Sequence, residues 1–91
     1  MDNKEIRKNI LRFLYDRYQI DPHQGIAKNE ICEQLGFDKN IVDGNVKYLE
    51  QKKLIDVSWF IGGTFLAKIN SNGIDEIEEE IGGQGIQNDR R

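Results

Sequence analysis

Residues 57–67, VSWFIGGTFLA, carry no charge, although the 91-residue chain is 32% charged. Two central glycines between apolar runs are a hairpin signal, and the register follows from which residues must share a face. A two-residue Gly62-Gly63 loop pairs Val57 with Lys68 and Asp56 with Ile69, which mixes charged and apolar groups on both faces. A three-residue loop, Ile61-Gly62-Gly63, instead sets Trp59 opposite Phe65, Val57 opposite Ala67, Ile55 opposite Ile69 and Asp56 opposite Lys68. One face is then wholly apolar, and such cross-strand pairs stabilise a sheet. This register predicts a core face of Ile55, Val57, Trp59, Phe65, Ala67 and Ile69, with Gly63 in the left-handed conformation that ends such a loop. Phe60 and Leu66 are left pointing outward, either as a contact patch or beneath the first helix or the C-terminal tail.

A one-faced hairpin needs helices to cover it. Asp2 and Glu5 form an Asp variant of the capping box, and Ile6, Ile10, Phe13, Leu14 and Tyr18 follow on one helical face. Lys4, Lys8, Arg12 and Tyr15 fall near the opposite face, with Arg7 at its edge, as a basic strip or a plain solvated surface. Asp21-Pro22 ends this helix, because a residue before proline avoids the helical region. Gly25-Ile26-Ala27 has the makings of a very short strand. Residues 28–35 form a second helix stopped by Gly36, and Asp38 caps a third that runs to about Lys53 over a stripe of Val42, Val46 and Leu49. Asn40, Asp43, Gly44, Lys47 and Gln51 point away from that stripe. Two helices joined this tightly are a helix-turn-helix. Ser71 is the expected cap of a fourth helix bearing Ile74, Ile77 and Ile81, with Glu78, Glu79 and Glu80 as its solvated side.

The expected fold class is α+β, a three-helix bundle with a β-hairpin and a C-terminal fourth helix, spanning residues 1–81. Residues 82–91, GGQGIQNDRR, read as a disordered tail. The order of elements and several local motifs resemble the winged-helix family of DNA-binding transcription regulators. ICEQLG is similar to that family's second-helix pattern, FDKNIVDGNVKYLEQKKLI to its third helix, and KINSNGIDEI to the end of the second wing strand and the following helix start. The resemblance covers about residues 4–81. It implies that the third helix enters the major groove of double-stranded DNA and that the hairpin is a wing. Carried over by position, Asn40 and Lys47 become base or phosphate contacts, with Gln51 on the same face. Lys39 and Lys28, at the starts of the third and second helices, become backbone contacts. Three positions depart from the pattern: Gly44 stands where a long side chain is common, Asp43 puts a carboxylate on the exposed face, and the wing tip FIGGTF has no Lys or Arg.

Composition bounds the alternatives. Residues 1–70 hold 11 Lys and Arg against 10 Asp and Glu, and residues 71–91 hold 2 against 6, so the net charge of −3 belongs to the C-terminal segment. No strong basic field drives binding, so a homodimer is expected, doubling the phosphate contacts over two half-sites. The hairpin face or the first and fourth helices would supply its interface. One cysteine and one histidine cannot assemble a metal site of ordinary ligand count. Cys32 reads as a small buried residue, and neither a nucleophile–base set nor a phosphate-cradling loop is present, so no enzyme, cofactor or small-molecule effector is inferred. With no signal-peptide pattern or membrane-length apolar run, a cytoplasmic domain is expected. The rival reading is a winged helix used as a protein-interaction module through Phe60 and Leu66. A third is single-strand or RNA binding through the wing aromatics.

Overall fold

The computed structural model describes residues 2–84. Helix α1 (Asn3–Ile20) starts where the Asp2 carboxylate accepts the Glu5 amide at 2.9 Å and stops at Asp21, in extended conformation before Pro22. Strand β1 (Ile26–Ala27) leads directly into α2 (Lys28–Leu35). Gly36, at φ 73°, ends α2, and the Gly36 and Phe37 amides turn back onto the Cys32 carbonyl. Only a residue without Cβ adopts that angle freely. Asp38 then caps α3 (Lys39–Gln51), its side chain accepting the Asn40 amide at 3.3 Å.

Strands β2 (Ile55–Trp59) and β3 (Phe65–Ile69) pair antiparallel in the register that the apolar face requires: Ile55 with Ile69, Asp56 with Lys68, Val57 with Ala67 and Trp59 with Phe65. β1 adds to the far side of β3, giving a sheet of order β1-β3-β2. The hairpin turns through Gly62 at φ 92° and Gly63 at φ 83°, with the Gly63 amide bonded to the Phe60 carbonyl at 3.2 Å. Both glycines, not Gly63 alone, occupy the left-handed region.

The sheet's apolar face meets Ile6, Ile10, Leu14, Ile31, Val42, Val46 and Leu49 from the three helices. Burial along that face is uneven. Phe65, Ala67 and Ile69 of the central strand are fully buried, whereas on the edge strand only Ile55 is, and Val57 is half-buried. Trp59, expected in the core, is 36% exposed. Alternation assigns a side chain to a face but does not say how far the helices reach beneath it, and Trp59 is the last residue of β2. Its ring instead packs edge-on against Phe65, with centroids 4.9 Å apart. Phe60 and Leu66 do point outward, at 51% and 42% exposed. α1 does not cover them, and the tail at 85–91 lies outside the described residues.

Helix α4 (Ser71–Gln84) runs three residues past the boundary expected at 81. Its cap is Asn70 rather than Ser71: the Asn70 side chain accepts the Gly73 amide at 3.1 Å, and its carbonyl accepts the Ile74 amide at 2.9 Å. The helix start lies against the base of the hairpin, where a Cβ on Gly73 would come within 2.2 Å of the Leu54 carbonyl oxygen. α4 also covers part of α1 that the periodicity leaves to solvent. Leu11 is buried, Tyr15 donates to Glu78 at 3.2 Å and Lys8 pairs with Glu80 at 3.1 Å. Desolvation of the Tyr15 hydroxyl, followed by the Glu78 charge, raises its pKa above the ordinary tyrosine value. Among the described residues, no helix is long and apolar enough to cross a membrane.

Candidate nucleic-acid interface

α3 buries Val42, Asn45, Val46 and Leu49, so at 3.6 residues per turn its outward line carries Asn40, Gly44, Lys47 and Gln51, all exposed. Lys39 is exposed at the first turn. Four of the five predicted contact residues, Lys39, Asn40, Lys47 and Gln51, thus share one surface, and Gly44 among them offers bare backbone, with nothing within 4 Å of where a Cβ would stand. An exposed glycine inside a helix costs about 1 kcal/mol relative to alanine, and no packing within the described chain requires it. Asn45, which the apolar periodicity leaves out, is buried. Its side-chain amide donates to the Ile41 carbonyl at 2.9 Å and to the Asn3 side chain at 3.4 Å, joining α3 to the start of α1.

Lys28 corrects the sequence expectation. It opens α2, as a backbone-contacting lysine would, but is only 8% exposed. Its ammonium donates to Asp43 Oδ2 at 2.9 Å and to the Gly63 carbonyl at 3.0 Å, joining α2, α3 and the hairpin tip. Asp43 Oδ1 lies 2.9 Å from the same nitrogen, off the hydrogen-bond axis and with no other partner among the described residues. The reason is charge burial: a partly buried carboxylate is stable only when paired. Pairing also disposes of the departure at Asp43, whose negative charge is matched by a cation from behind.

The hairpin meets α3 a second time through Trp59. Its indole N–H donates to Glu50 at 3.1 Å, and the Lys47 ammonium lies 5.4 Å from the ring centroid. On the opposite flank, facing α1, the Arg7 guanidinium stacks 3.8 Å over the Tyr48 ring, and the ammonium of Lys52, the α3 C-cap residue, stands 5.6 Å from it. Sequence reasoning put Arg7 at the edge of the α1 polar face and Tyr48 at the flank of the α3 stripe; it did not bring them together, because 41 positions separate them in the chain. Elsewhere, Arg17 pairs with Glu30. Burial pushes the Cys32 thiol up, away from the reactive thiolate. Among the described residues, no group of three or more His, Cys, Asp or Glu is arranged to hold a metal ion.

No protein-family description matches the chain, and no curated protein matches it. Solved structures do. A mutant of S. aureus MepR bound to an oligodeoxyribonucleotide superposes with a TM-score of 0.61 at 22% identity, covering 89% of this chain and 64% of that one. The S. aureus MepR–DNA complex gives 0.57 at 24% identity, covering 89% and 63%. ZitR from Lactococcus lactis, described as a zinc-responsive MarR family member, gives 0.58 at 18% identity, covering 89% and 62%. This chain therefore spans less than two thirds of the length of these neighbours. At such identities the likeness concerns the backbone alone, and together with the helix-turn-helix and hairpin described above it shows the fold: the chain has the winged helix-turn-helix fold.

Proposed function

We propose that this domain binds duplex DNA by laying α3 in the major groove, as part of a transcription regulator. The observation that carries the reading is the outward stripe of α3, on which Asn40, Lys47 and Gln51 stand exposed beside the bare backbone at Gly44. An amide side chain reads the adenine edge, lysine reads guanine or phosphate, and bare backbone lets the helix sit deep. Two of the similar solved structures contain DNA, which supports the same reading. Lys39 adds a phosphate contact at the helix start. A homodimer doubles a footprint that is short of cations in one copy. The uncharged wing then lies beside the duplex as a spacer rather than as a phosphate grip.

The test is fluorescence anisotropy of a labelled random-sequence duplex titrated with the full chain at several salt concentrations. Binding that weakens linearly in log–log form with salt, and that Lys47→Glu abolishes, is the expected result. Salt-independent binding, or none at the lowest salt, rejects the reading. The rival use of the fold, protein docking through Phe60 and Leu66, predicts instead a self-association or partner signal lost on Phe60→Asp, with no duplex binding.

A further inference from the structure

We propose that Arg7 and Lys52, which meet at the Tyr48 ring, and Lys4, which lines the same cleft on the α1 side of α3, form a phosphate clamp for the DNA strand on the far side of the groove from the wing. The inference rests on the reading that α3 lies in a duplex groove. An α-helix with side chains is about 10–12 Å across, close to the roughly 12 Å width of the major groove, so residues on its flanks face the phosphate walls. Tyr48 lies about 100° around α3 from Lys47, and Lys52 about 40° further, both on the α1 side. They are therefore flank residues, not groove-floor residues.

The chemistry of that flank is unbalanced. Lys4, Arg7 and Lys8 of α1, with Tyr48 and Lys52, line a cleft of about 500 Å³ that α4 closes with Glu76 and Glu80. Glu80 is engaged with Lys8 at 3.1 Å. Among the described residues, no carboxylate pairs with Lys4, Arg7 or Lys52. Arg7 is held in place from two directions, by its Nε–H bond to the Asn3 carbonyl at 3.2 Å and by the Tyr48 ring beneath it. Lys52 approaches the same ring. Two cations gathered at one aromatic ring repel each other, and an anion between or above them is favoured there. A guanidinium fixed in one plane presents its remaining N–H groups as a fork suited to phosphate oxygens. The wing, which is the other place to look for such a grip, has no Lys or Arg between Val57 and Ala67.

The experiment measures the slope of log Kd against log salt for a random-sequence duplex, between about 50 and 200 mM, with each phosphate contact worth about 0.9 in slope. Lys4→Gln/Arg7→Gln/Lys52→Gln should lower the slope by about 2–3, while Arg12→Gln on the exposed side of α1 leaves it unchanged. Because the triple variant also removes the stacking on Tyr48, Lys4→Gln and Lys52→Gln are run singly, each lowering the slope by about 0.9; Arg7→Lys, which keeps the charge, retains it. Unchanged slopes in variants that still bind duplex overturn the clamp and leave the α3 reading standing. Absence of duplex binding by the parent chain overturns both. Amide shifts at residues 4, 7 and 52 are followed in parallel with inorganic phosphate. Saturation by free phosphate, together with unchanged duplex slopes, assigns the site to a small anion and also overturns the clamp.

Discussion

The two flanks of α3 carry similar numbers of charged groups and use them in opposite ways. On the wing side, Asp43 is tied to Lys28 and Glu50 to Trp59, so every carboxylate is matched and the ion pair is anchored to the hairpin tip. On the α1 side, Arg7 and Lys52 converge on Tyr48 with no carboxylate between them. The wing-side charges hold the protein together; the α1-side charges are left for something outside it. A net charge near zero over residues 1–70 conceals this division, because the sum counts a buried lysine and an idle one alike. What distinguishes them is burial and partnership. Lys28 is 8% exposed with two acceptors, whereas Lys52 is exposed with a ring and solvent.

The largest consequence concerns stability. Lys28→Met removes the cation from a partly buried carboxylate and from the Gly63 carbonyl. Breaking a fully buried pair costs about 3–5 kcal/mol. The Asp43 side chain retains 29% exposure, and that access to water reduces the expected loss to about 2 kcal/mol. Arg7→Met, on the other flank, should cost about 1 kcal/mol or less, the value of an exposed cation–π contact. Urea unfolding of the two variants checks the contrast. The comparison breaks if they lose equal stability. Lys28→Met/Asp43→Leu sharpens it, since removing both charges should recover most of the loss and give a positive coupling in a double-mutant cycle.

The same division explains what could be read in advance. The hairpin register was legible because a one-residue slip exchanges its faces, and only one register leaves a face free of charge. Gly36 and Asp38 were legible because a helix stop and a helix cap are local chemistry. The outward line of α3 followed from period alone, and with it Asn40, Lys47 and Gln51. Lys28 was not legible. Its position at a helix start resembles that of a phosphate-contacting lysine, and its acceptors lie 15 and 35 residues away. Trp59 was assigned to the correct face but not to the correct depth, which depends on where helix ends fall in space. The Arg7–Tyr48 stack joins two edge positions of separate amphipathic helices, and edge positions are where periodicity says least. Asn70 displaced Ser71 as the α4 cap because its amide also reaches the Lys53 carbonyl at 3.1 Å and Asp56 at 3.2 Å, contacts made only once the hairpin is folded.

An intermediate effect is expected at Trp59, where the wing-side flank reaches solvent. Trp59→Ala removes the edge-on packing against Phe65, the bond to Glu50 and the seat of Lys47, but the ring is only partly buried. The cost should be about 1–2 kcal/mol, well below the roughly 3–5 kcal/mol of a fully buried aromatic. Trp59→Phe keeps most of the packing and should lose about 0.5–1 kcal/mol, the net value of the indole hydrogen bond. Trp59 is the only tryptophan in the chain, so emission excited at the red edge of the indole band, where tyrosine does not absorb, observes this flank alone. Withdrawal of Lys47 from the ring on binding duplex should change its emission, and Arg7→Gln should leave the emission of the free protein unaltered. A change with Arg7→Gln means that the flanks communicate and the comparison has to be redrawn.

The smallest expected effect lies where the two flanks meet, at the end of α3. Lys53 has φ 63°, the sole left-handed non-glycine residue among those described. Its amide bonds to the Glu50 carbonyl at 2.9 Å and the Leu54 amide to the Leu49 carbonyl at 3.1 Å, the paired bonds of a Schellman end, in which glycine is the usual residue. The conformation is held from outside by Asn70 and Asn72, whose side-chain amides both donate to the Lys53 carbonyl at 3.1 Å. Lys53→Gly keeps that carbonyl and removes the Cβ clash, worth about 1–2 kcal/mol, while adding backbone freedom to the unfolded chain worth about 0.5–1 kcal/mol. The balance is a gain of about 0.5–1 kcal/mol, read as a small rise in the urea midpoint. Because Lys53 belongs to neither flank, its replacement should leave both the fluorescence of Trp59 and the salt slope of duplex binding where they were. A fall in slope of about 0.9 would instead add Lys53 to the cations that the α1-side flank holds out to phosphate.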